Sequence, residues 1–205
     1  PELFWDWENM LKDAEFVPHE VHRDVEQGYL YQEMGYNIIN EALAQLGLRL
    51  TTFLELQGRR SFYFSPVGRG GTADKIPLGR GLISHRHAAV RAGLGEFGLN
   101  NLVVTPQYGP HMRFVTVLTE AELPADPLLV EKACLGQSCS ICVDECPGAI
   151  TLRDDFDSKA VWYDTPARTD ILECRAARGV HFCMGRCMRK CPVGRMGSPD
   201  ERATA

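Results

Sequence analysis

The residues best suited to chemistry in this sequence are eight cysteines, which all lie between positions 134 and 191. They form two groups with the spacings C-x4-C-x2-C-x3-C-P and C-x8-C-x3-C-x3-C-P. Each group ends in Cys-Pro, in "CSICVDECPGAI" and "CMGRCMRKCPVG". Because thiolates bind soft metals and iron-sulfur clusters, this repeat predicts two metal centres.

The repeat is close to the two-cluster ferredoxin signature, in which C-x2-C-x2-C-x3-C-P occurs twice. There the fourth cysteine of each run binds the cluster of the other run, because the proline turns the chain away from the first cluster. Two ligand sets follow for two [4Fe-4S] clusters, namely Cys134, Cys139, Cys142 and Cys191 for one, and Cys174, Cys183, Cys187 and Cys146 for the other.

Three gaps in this sequence differ from the ferredoxin spacing. Four residues follow Cys134, eight follow Cys174, and three separate Cys183 from Cys187. These differences bear most on the pairing of Cys134 and Cys174. Two alternatives stay open, since four thiolates also suit tetrahedral zinc and cysteines can pair as disulfides.

Basic side chains surround the second cysteine group. Positive charge there would raise a cluster's reduction potential and could dock an acidic electron donor, whereas a solvated basic face is the alternative. The residues are Arg175, Arg178, Arg186, Arg189, Lys190 and Arg195.

A second motif, Gly93-x-Gly95-x-x-Gly98, has the letter spacing of a dinucleotide-binding fingerprint. That fingerprint requires a strand, then the glycines, then a helix. Here a helical pattern, "SHRHAAVRA", precedes the glycines and the strand-like "NLVVTP" follows them. The order argues against NAD or FAD. The segment from Gly93 to Asn101 is instead predicted to be a helix-to-strand turn where backbone amides approach a ligand.

Histidines are the remaining candidate chemical groups. His85 and His87 would diverge by about 200° on a helix, which argues against joint metal binding. A hydrogen bond to backbone or to a ligand edge is the more ordinary role for both. His111 lies in a turn-rich stretch, where exposure to water is the default.

The elements that would position these groups are indicated by residue patterns. Residues 32–46 have apolar residues at helical spacing, with Gly47 as the expected end of the helix. "LRLTTFLEL" is ambiguous between helix and strand, and "SFYFS" is typical of a strand. Ser84 is a predicted N-cap, and "NLVVTP" and "MRFVTVLTE" predict two strands. The apolar helical positions are Ile38, Ile39, Ala42, Leu43 and Leu46.

Composition limits the classes of protein. The chain has 205 residues and a net charge of −5, which argues against nucleic-acid binding through the overall field. No apolar run approaches the roughly 20 residues of a membrane span. A cytoplasmic location is expected, but the chain begins at Pro1, so a preceding segment, export signal or anchor stays open. A change to proline and then cysteine predicts a boundary near residue 125.

The run "SHRHAAVRAGLGEFGLNNLVVTPQYGPHMRFVTVLTEAEL", followed by the cysteine groups, resembles the superfamily of reductive dehalogenases and epoxyqueuosine reductases. The Ala-Gly-Leu-Gly-Glu and Thr-Pro-x-Tyr-Gly elements, and "AVWYDTPARTDILEC", are more similar to the dehalogenase branch. The resemblance covers residues 82–195. The matching positions are Ala92 to Glu96, Thr105, Pro106, Tyr108, Gly109, Arg113 and Thr119.

This resemblance implies an α+β fold, with a nitroreductase-like α/β core over 1–125 and a ferredoxin-like domain with two [4Fe-4S] clusters over 126–205. It implies an enzyme that passes electrons through both clusters to a corrinoid (cobalamin), which reduces a small organic substrate. The cofactor-binding residues it suggests are Gly93, Gly95, Gly98, Asn101 and Tyr108.

The resemblance also implies a proton-donating tyrosine, or an aspartate in the epoxyqueuosine branch. No catalytic residue is assigned, and Tyr29, Tyr31 and Tyr36 are candidates by location alone. The expected partners are a low-potential donor of the ferredoxin or flavodoxin type, a small-molecule substrate and a second copy in a homodimer. The alternative is a ferredoxin-like electron-transfer protein or subunit without its own corrinoid site.

Overall fold

The computed structural model describes residues 31–67, 82–155, 157, 159–180, 183 and 185–194. It begins with one long helical stretch, which is π-helical over Tyr31–Ile38 and continues as helix α1 over Ile39–Leu56. Leu-rich sequence with few β-branched residues favours helix throughout this stretch. The ambiguous "LRLTTFLEL" is therefore helical. No helix in the described part of the chain is long and apolar enough to cross a membrane.

Two expectations for α1 are wrong. Gly47 does not end the helix but lies buried in its middle, where a Cβ would come within 2.8 Å of the Tyr63 ring. The buried face consists of Asn40, Gly47 and Thr51, seven and four residues apart, as one helix face requires. The small glycine lets α1 approach the strand that carries Tyr63 closely. The apolar positions expected in the core are instead exposed at Ile38, Ile39, Ala42 and Leu46, and half-buried at Leu43.

Helix α1 packs on a two-stranded antiparallel sheet. Strand β1 (Ser61–Phe64) pairs with β4 (Thr116–Thr119), in a register that places Ser61 opposite Thr119 and Phe64 opposite Thr116. The aromatic composition of β1 suits this pleated, half-buried surface. Both strands were expected from the sequence, β1 over nearly its whole length and β4 inside a longer apolar run.

Helix α2 (His85–Arg91) begins where the sequence predicts, because the Ser84 hydroxyl accepts a hydrogen bond from the His87 N–H at 3.4 Å. The chain then forms a short hairpin of β2 (Glu96–Phe97) and β3 (Val103–Val104). The stretch between α2 and β3 is therefore more than the simple turn that the sequence suggested. It contains a buried strand of its own.

The cysteine-rich part contains short elements. They are a 3-10 turn (Gly136–Ser138), α3 (Ile141–Asp144), β5 (Ile150–Leu152), β6 (Ala167–Thr169), α4 (Ile171–Val180) and α5 (Arg186–Arg189). Strands β5 and β6 pair antiparallel, and α3 packs against α5. These two helices carry cysteines from different groups, so their packing brings the groups together. The architecture of the described residues is α+β.

The hydrophobic core joins the two halves of the sequence. Its buried members include Val90, Phe97 and Trp162, and partly buried Cys134 and Cys142 pack against it. Phe97 also donates its N–H to the Trp162 carbonyl oxygen at 2.8 Å. The packing of residues from both sides of position 125 holds the glycine-rich segment beside the first cysteine group. The domain boundary at 125 stays a prediction.

Candidate metal centres

Four cysteines from both groups line one cavity beside the core. Three come from the first group and one from the second, so the chain crosses between groups as the Cys-Pro pattern predicts. The cavity also has glycine, leucine and asparagine walls from the segment before β3. Its thiols are Cys134, Cys139, Cys142 and Cys191, and its other walls include Gly98, Leu99 and Asn100.

Local backbone geometry explains the wide gap after Cys134. Three of the four intervening residues form the 3-10 turn, and Gly136 has a left-handed φ of 64°. Ser140 also adopts a left-handed φ of 48° as α3 begins. These two turns fold the chain sharply, so that Cys139 and Cys142 reach the same cavity as Cys134.

The electrostatics of the thiols follow most of this grouping. Burial, and after it the charges of Cys134, Cys187, Cys191 and Cys139, raises the pKa of Cys142 to about 12. Burial, and after it the charges of Cys183, Cys146 and Cys174, raises the pKa of Cys187 to about 12. Cys187 therefore interacts with the three partners that the sequence assigned to it, whereas Cys142 interacts with its own three partners and also with Cys187 of the other set. Neighbouring thiolates repel one another, and bound iron would offset that repulsion.

None of the eight cysteines forms a disulfide. Within the described ranges, no three His, Cys, Asp or Glu side chains converge closely enough to hold a single metal ion. The thiols of the first set instead surround a cavity. The assignment of the eight cysteines as cluster ligands stays a prediction.

Glu96 ties the glycine-rich segment to the first cysteine group. Its side chain is fully buried, and Oε1 accepts hydrogen bonds from the backbone N–H groups of Ala133 at 2.6 Å and Cys134 at 2.7 Å. Oε2 accepts from the Trp162 N–H at 2.9 Å and lies 3.5 Å from Lys132 Nζ. A buried carboxylate is retained only with such partners. Sequence reasoning gave Glu96 no role, although an acidic residue inside an apolar, glycine-rich run was a signal.

The second cysteine group is connected to the same segment through Asn100. Its Nδ2 donates to the Cys187 carbonyl oxygen at 3.1 Å, and its Oδ1 accepts from the Leu102 N–H at 3.1 Å. The segment from Glu96 to Asn101 thus contacts both cysteine groups directly. This position explains why the segment is buried almost throughout.

The predicted cofactor glycines are packed mainly against the protein. A Cβ at Gly93, whose φ is 79°, would lie 2.2 Å from the Pro127 carbonyl oxygen, and one at Gly95 would lie 2.5 Å from the Val104 carbonyl oxygen. Gly98 differs because it lines the thiol cavity, 3.7 Å from Cys134 Sγ by the same measure. Close packing therefore requires glycine at the first two positions, and their role in cofactor binding stays a prediction.

The other two predicted cofactor residues also make intramolecular contacts. Asn101 has a left-handed φ of 56° and donates through Nδ2 to the Ala167 carbonyl oxygen at 2.8 Å and to Thr169 Oγ1 at 2.9 Å. Tyr108 is exposed, and its N–H donates to Thr105 Oγ1 at 3.1 Å. Their binding roles likewise stay predictions.

The histidines are separated, as the helical geometry predicts. His85 Nδ1 lies 2.8 Å from Thr116 Oγ1, and Nε2 lies 3.0 Å from a backbone carbonyl oxygen, to which it must donate. His87 Nε2 lies 3.3 Å from Asp164 Oδ1, on a different side of α2. His85 has the expected hydrogen bond to backbone, whereas His87 contacts an aspartate side chain; the absence of joint metal binding stays a prediction. His111 is exposed, as its turn position predicts.

A second cavity, of about 510 Å³, lies beside the start of α2. Its polar walls include His85, Arg86 and Arg113, and its apolar walls include Met112 and Phe114. Arg113 donates through Nε to Asn40 Oδ1 at 2.7 Å, and its guanidinium carbon lies 4.2 Å from the centroid of the Tyr36 ring. Of the tyrosine candidates, Tyr36 is therefore next to a cavity wall. Tyr31 packs against Gly35, and Tyr29 lies outside the described residues.

The basic side chains near the second cysteine group are only partly described. Arg175 and Lys190 are exposed, whereas Arg186 and Arg189 are half-buried on α5. The side chain of Arg178 and all of Arg195 lie outside the described residues. A role of this surface in docking an electron donor stays a prediction.

Comparison with known proteins finds sequence similarity to two kinds of reductase. The tetrachloroethene reductive dehalogenase of Desulfitobacterium hafniense is 29% identical over 194 residues, which are 89% of this chain and 31% of that protein. The epoxyqueuosine reductase of Staphylococcus aureus is 41% identical over 127 residues, 59% of this chain and 32% of that protein. The named relatives are reductases. They support a related reductase family.

The chain spans about a third of the length of these curated relatives. A solved structure of epoxyqueuosine reductase from Streptococcus thermophilus aligns with 75% of this chain and 38% of that one, at 19% identity and a TM-score of 0.45. No protein-family model matches the chain. The eight cysteines fit iron-sulfur binding by a reductase of this kind.

Proposed function

We propose that this chain is the electron-transferring part of an iron-sulfur reductase resembling reductive dehalogenases, and that it holds two [4Fe-4S] clusters. The observation that carries the proposal is the cavity whose four thiols come from both cysteine groups. Two-cluster ferredoxin modules require such a crossing. The names of the relatives support the reductase class.

The residues around the first cavity fit a cluster chemically. The cavity supplies four thiols, and burial together with mutual repulsion keeps the Cys142 thiol neutral in the absence of iron. Loading therefore exchanges protons for iron, as in other thiolate sites. Clusters of this type supply one-electron transfer when bound. The protein's own contribution is to hold the thiols in place and to exclude water with the core residues Phe97 and Trp162.

The electron acceptor in this proposal is a corrinoid, which the sequence resemblance implies. When bound, a corrinoid would supply a cobalt centre that takes up electrons and reduces a small organic substrate. Protein atoms occupy the points at Gly93 and Gly95 where a Cβ would lie, so these two glycines do not present an open surface to a corrinoid, and the residues that would hold it are not assigned. The cavity of about 510 Å³ is of the size that small organic ligands occupy, roughly 300 to 1,000 Å³. We assign this cavity to the small organic substrate.

We assign the proton donor to Tyr36, which lies behind the Arg113 wall of that cavity. Its ring lies under the guanidinium of Arg113, which lines the cavity. A cation over the ring face holds the tyrosine in a fixed orientation. Arg113 is itself held by Asn40, so the pair is anchored on α1.

The proposal is tested with the anaerobically loaded chain and an artificial low-potential donor. Tyr36→Phe is expected to lower substrate reduction about a hundred-fold while iron content stays unchanged, since general acids contribute that much. Tyr31→Phe is the matched control and is expected to keep the activity. Equal activity of the two variants would refute the assignment of Tyr36.

Cobalamin binding separates the enzyme from the electron-transfer alternative. An iron-loaded chain that binds cobalamin supports the enzyme. An iron-loaded chain that binds none, even after incubation with excess cobalamin, favours a ferredoxin-like carrier without a corrinoid site. A chain that binds zinc instead of iron refutes both.

A further inference from the structure

The fully buried Glu96 carboxylate faces the first cysteine group from outside it. Three backbone N–H groups donate to its two oxygens, and two of them belong to consecutive residues, Ala133 and Cys134. An ionised carboxylate is acceptor-only, and these three N–H donors suit that form. The carboxylate is therefore bonded directly to the backbone of Cys134, whose thiol is the first of the cavity.

Lys132 provides the opposing charge on the far side. Its Nζ lies 3.5 Å from Glu96 Oε2, donates to the Ala160 carbonyl oxygen at 2.7 Å and stands 3.2 Å from the centroid of the Trp162 ring. The lysine is thus held by three groups and faces the oxygen that points away from Cys134. Oε1, which faces Cys134, receives only backbone donors among the described contacts.

The position of Cys134 depends on this arrangement. The 3-10 turn separates Cys134 from the other first-group thiols, so α3 does not fix it. Its backbone is instead fixed by Glu96, and Gly98 from the same segment packs near its Sγ. The Cys134 amide also donates to Glu96, which leaves it unable to donate to cluster sulfur. Fewer N–H donors and a nearby negative charge both lower the potential of an iron-sulfur cluster.

We propose that Glu96 is a positioning residue for the cluster held by Cys134, Cys139, Cys142 and Cys191, and that its charge lowers that cluster's reduction potential. The inference rests on the proposed function, because it concerns a cluster that the cysteines would hold. It goes beyond that function by assigning to a residue outside the cysteine groups both the placement of a ligand and the lowering of the first cluster's potential.

Variants that remove the charge of Glu96 or of Lys132 are expected to shift the midpoint potential of the first cluster in opposite directions. Glu96→Gln is expected to raise the midpoint potential of the first cluster, because it removes the negative charge. Lys132→Met is expected to lower it, because Glu96 then stays uncompensated. Potentiometric titration followed by electron paramagnetic resonance measures both, and Cys139→Ser identifies the signal of the first set. Glu131→Gln and Lys159→Met, which change exposed charges nearby, are the matched controls.

The results separate positioning from simple destabilisation. Opposite shifts of the midpoint potential in the two variants, with both controls unchanged, would support the inference. A Glu96→Gln chain that loses about four of about eight irons would also support it, provided that Lys132→Met still lowers the potential. Unchanged potentials in a fully loaded Glu96→Gln chain, loss of all iron from it, or a higher potential in Lys132→Met would overturn the inference.

The test also distinguishes failure of the inference from failure of the proposed function. Wild-type protein that takes up no iron refutes the proposed function. The positioning role is then tested in the metal-free chain by amide hydrogen exchange. Glu96→Gln is expected to accelerate exchange at Ala133 and Cys134 while Cys139 stays unchanged. Equal exchange at Ala133 and Cys134 in both proteins would overturn the positioning role.

Discussion

Replacing Gly109 by alanine tests whether the turn that contains Gly109 packs against the loop after Cys191, the last cysteine. Gly109 has a φ of 56°, and a Cβ there would lie 1.9 Å from the Val193 carbonyl oxygen. Real Cβ atoms essentially never come within 3.0 Å of such an atom, so the two segments must separate by about 1 Å. Val193 follows Cys191-Pro192, and the separation would move the Cys191 thiol of the first cavity.

The magnitude follows by comparison with Gly58, which has a φ of 74° and open space within 4 Å of the point where a Cβ would lie. Gly58→Ala costs only the left-handed backbone, about 1 to 2 kcal/mol. Gly109→Ala adds overpacking of about 1 to 3 kcal/mol. Its thermal midpoint should therefore fall roughly 2 to 12 °C below that of Gly58→Ala, measured by circular dichroism. Equal midpoints of the two variants would refute the packing of Gly109 on Val193.

Three further predictions concern the core and the thiols. Phe97→Ala should destabilise the fold by about 3 to 5 kcal/mol in urea titrations, because Phe97 is fully buried against Trp162; a loss under about 1 kcal/mol would contradict this core. Asn101→Gly should cost about 1 to 3 kcal/mol, because glycine keeps the left-handed backbone but loses the bonds to Ala167 and Thr169; unchanged stability would contradict those bonds. Burial and neighbouring thiols raise the pKa of Cys142 and Cys187 to about 12, so alkylation of both at pH 9 in the folded metal-free chain should be more than about ten-fold slower than in urea. Equal alkylation rates in both states would contradict the raised pKa. The same raised pKa stabilises the metal-free fold at neutral pH, and that contribution is lost as the pH rises toward 12.

Local signals in the sequence predicted much of the site's framework. The Ser84 cap and the small residues after it indicate α2, and aromatic residues indicate β1. The two Cys-Pro closures led to the grouping of Cys191 with the first three cysteines. That grouping agrees with the cavity because cluster-binding spacings are short-range constraints that the sequence shows directly.

Other features depend on contacts between distant segments. The apolar periodicity of α1 suggested one face, but the helix buries Asn40, Gly47 and Thr51 because a small residue is needed opposite Tyr63. The pairing of β2 with β3 could not be predicted from the sequence, because it depends on the core around Phe97. The role of Glu96 required knowing that residues 133, 134 and 162 come together around it. The spacing of residues along the sequence does not indicate that these three residues contact Glu96.

Metal and acid-labile sulfide analysis of the anaerobically purified chain tests the central claim most directly. Two clusters held by two crossed sets of four cysteines predict about eight irons and eight sulfides per chain. Zinc in place of iron, or iron without sulfide, would contradict the account.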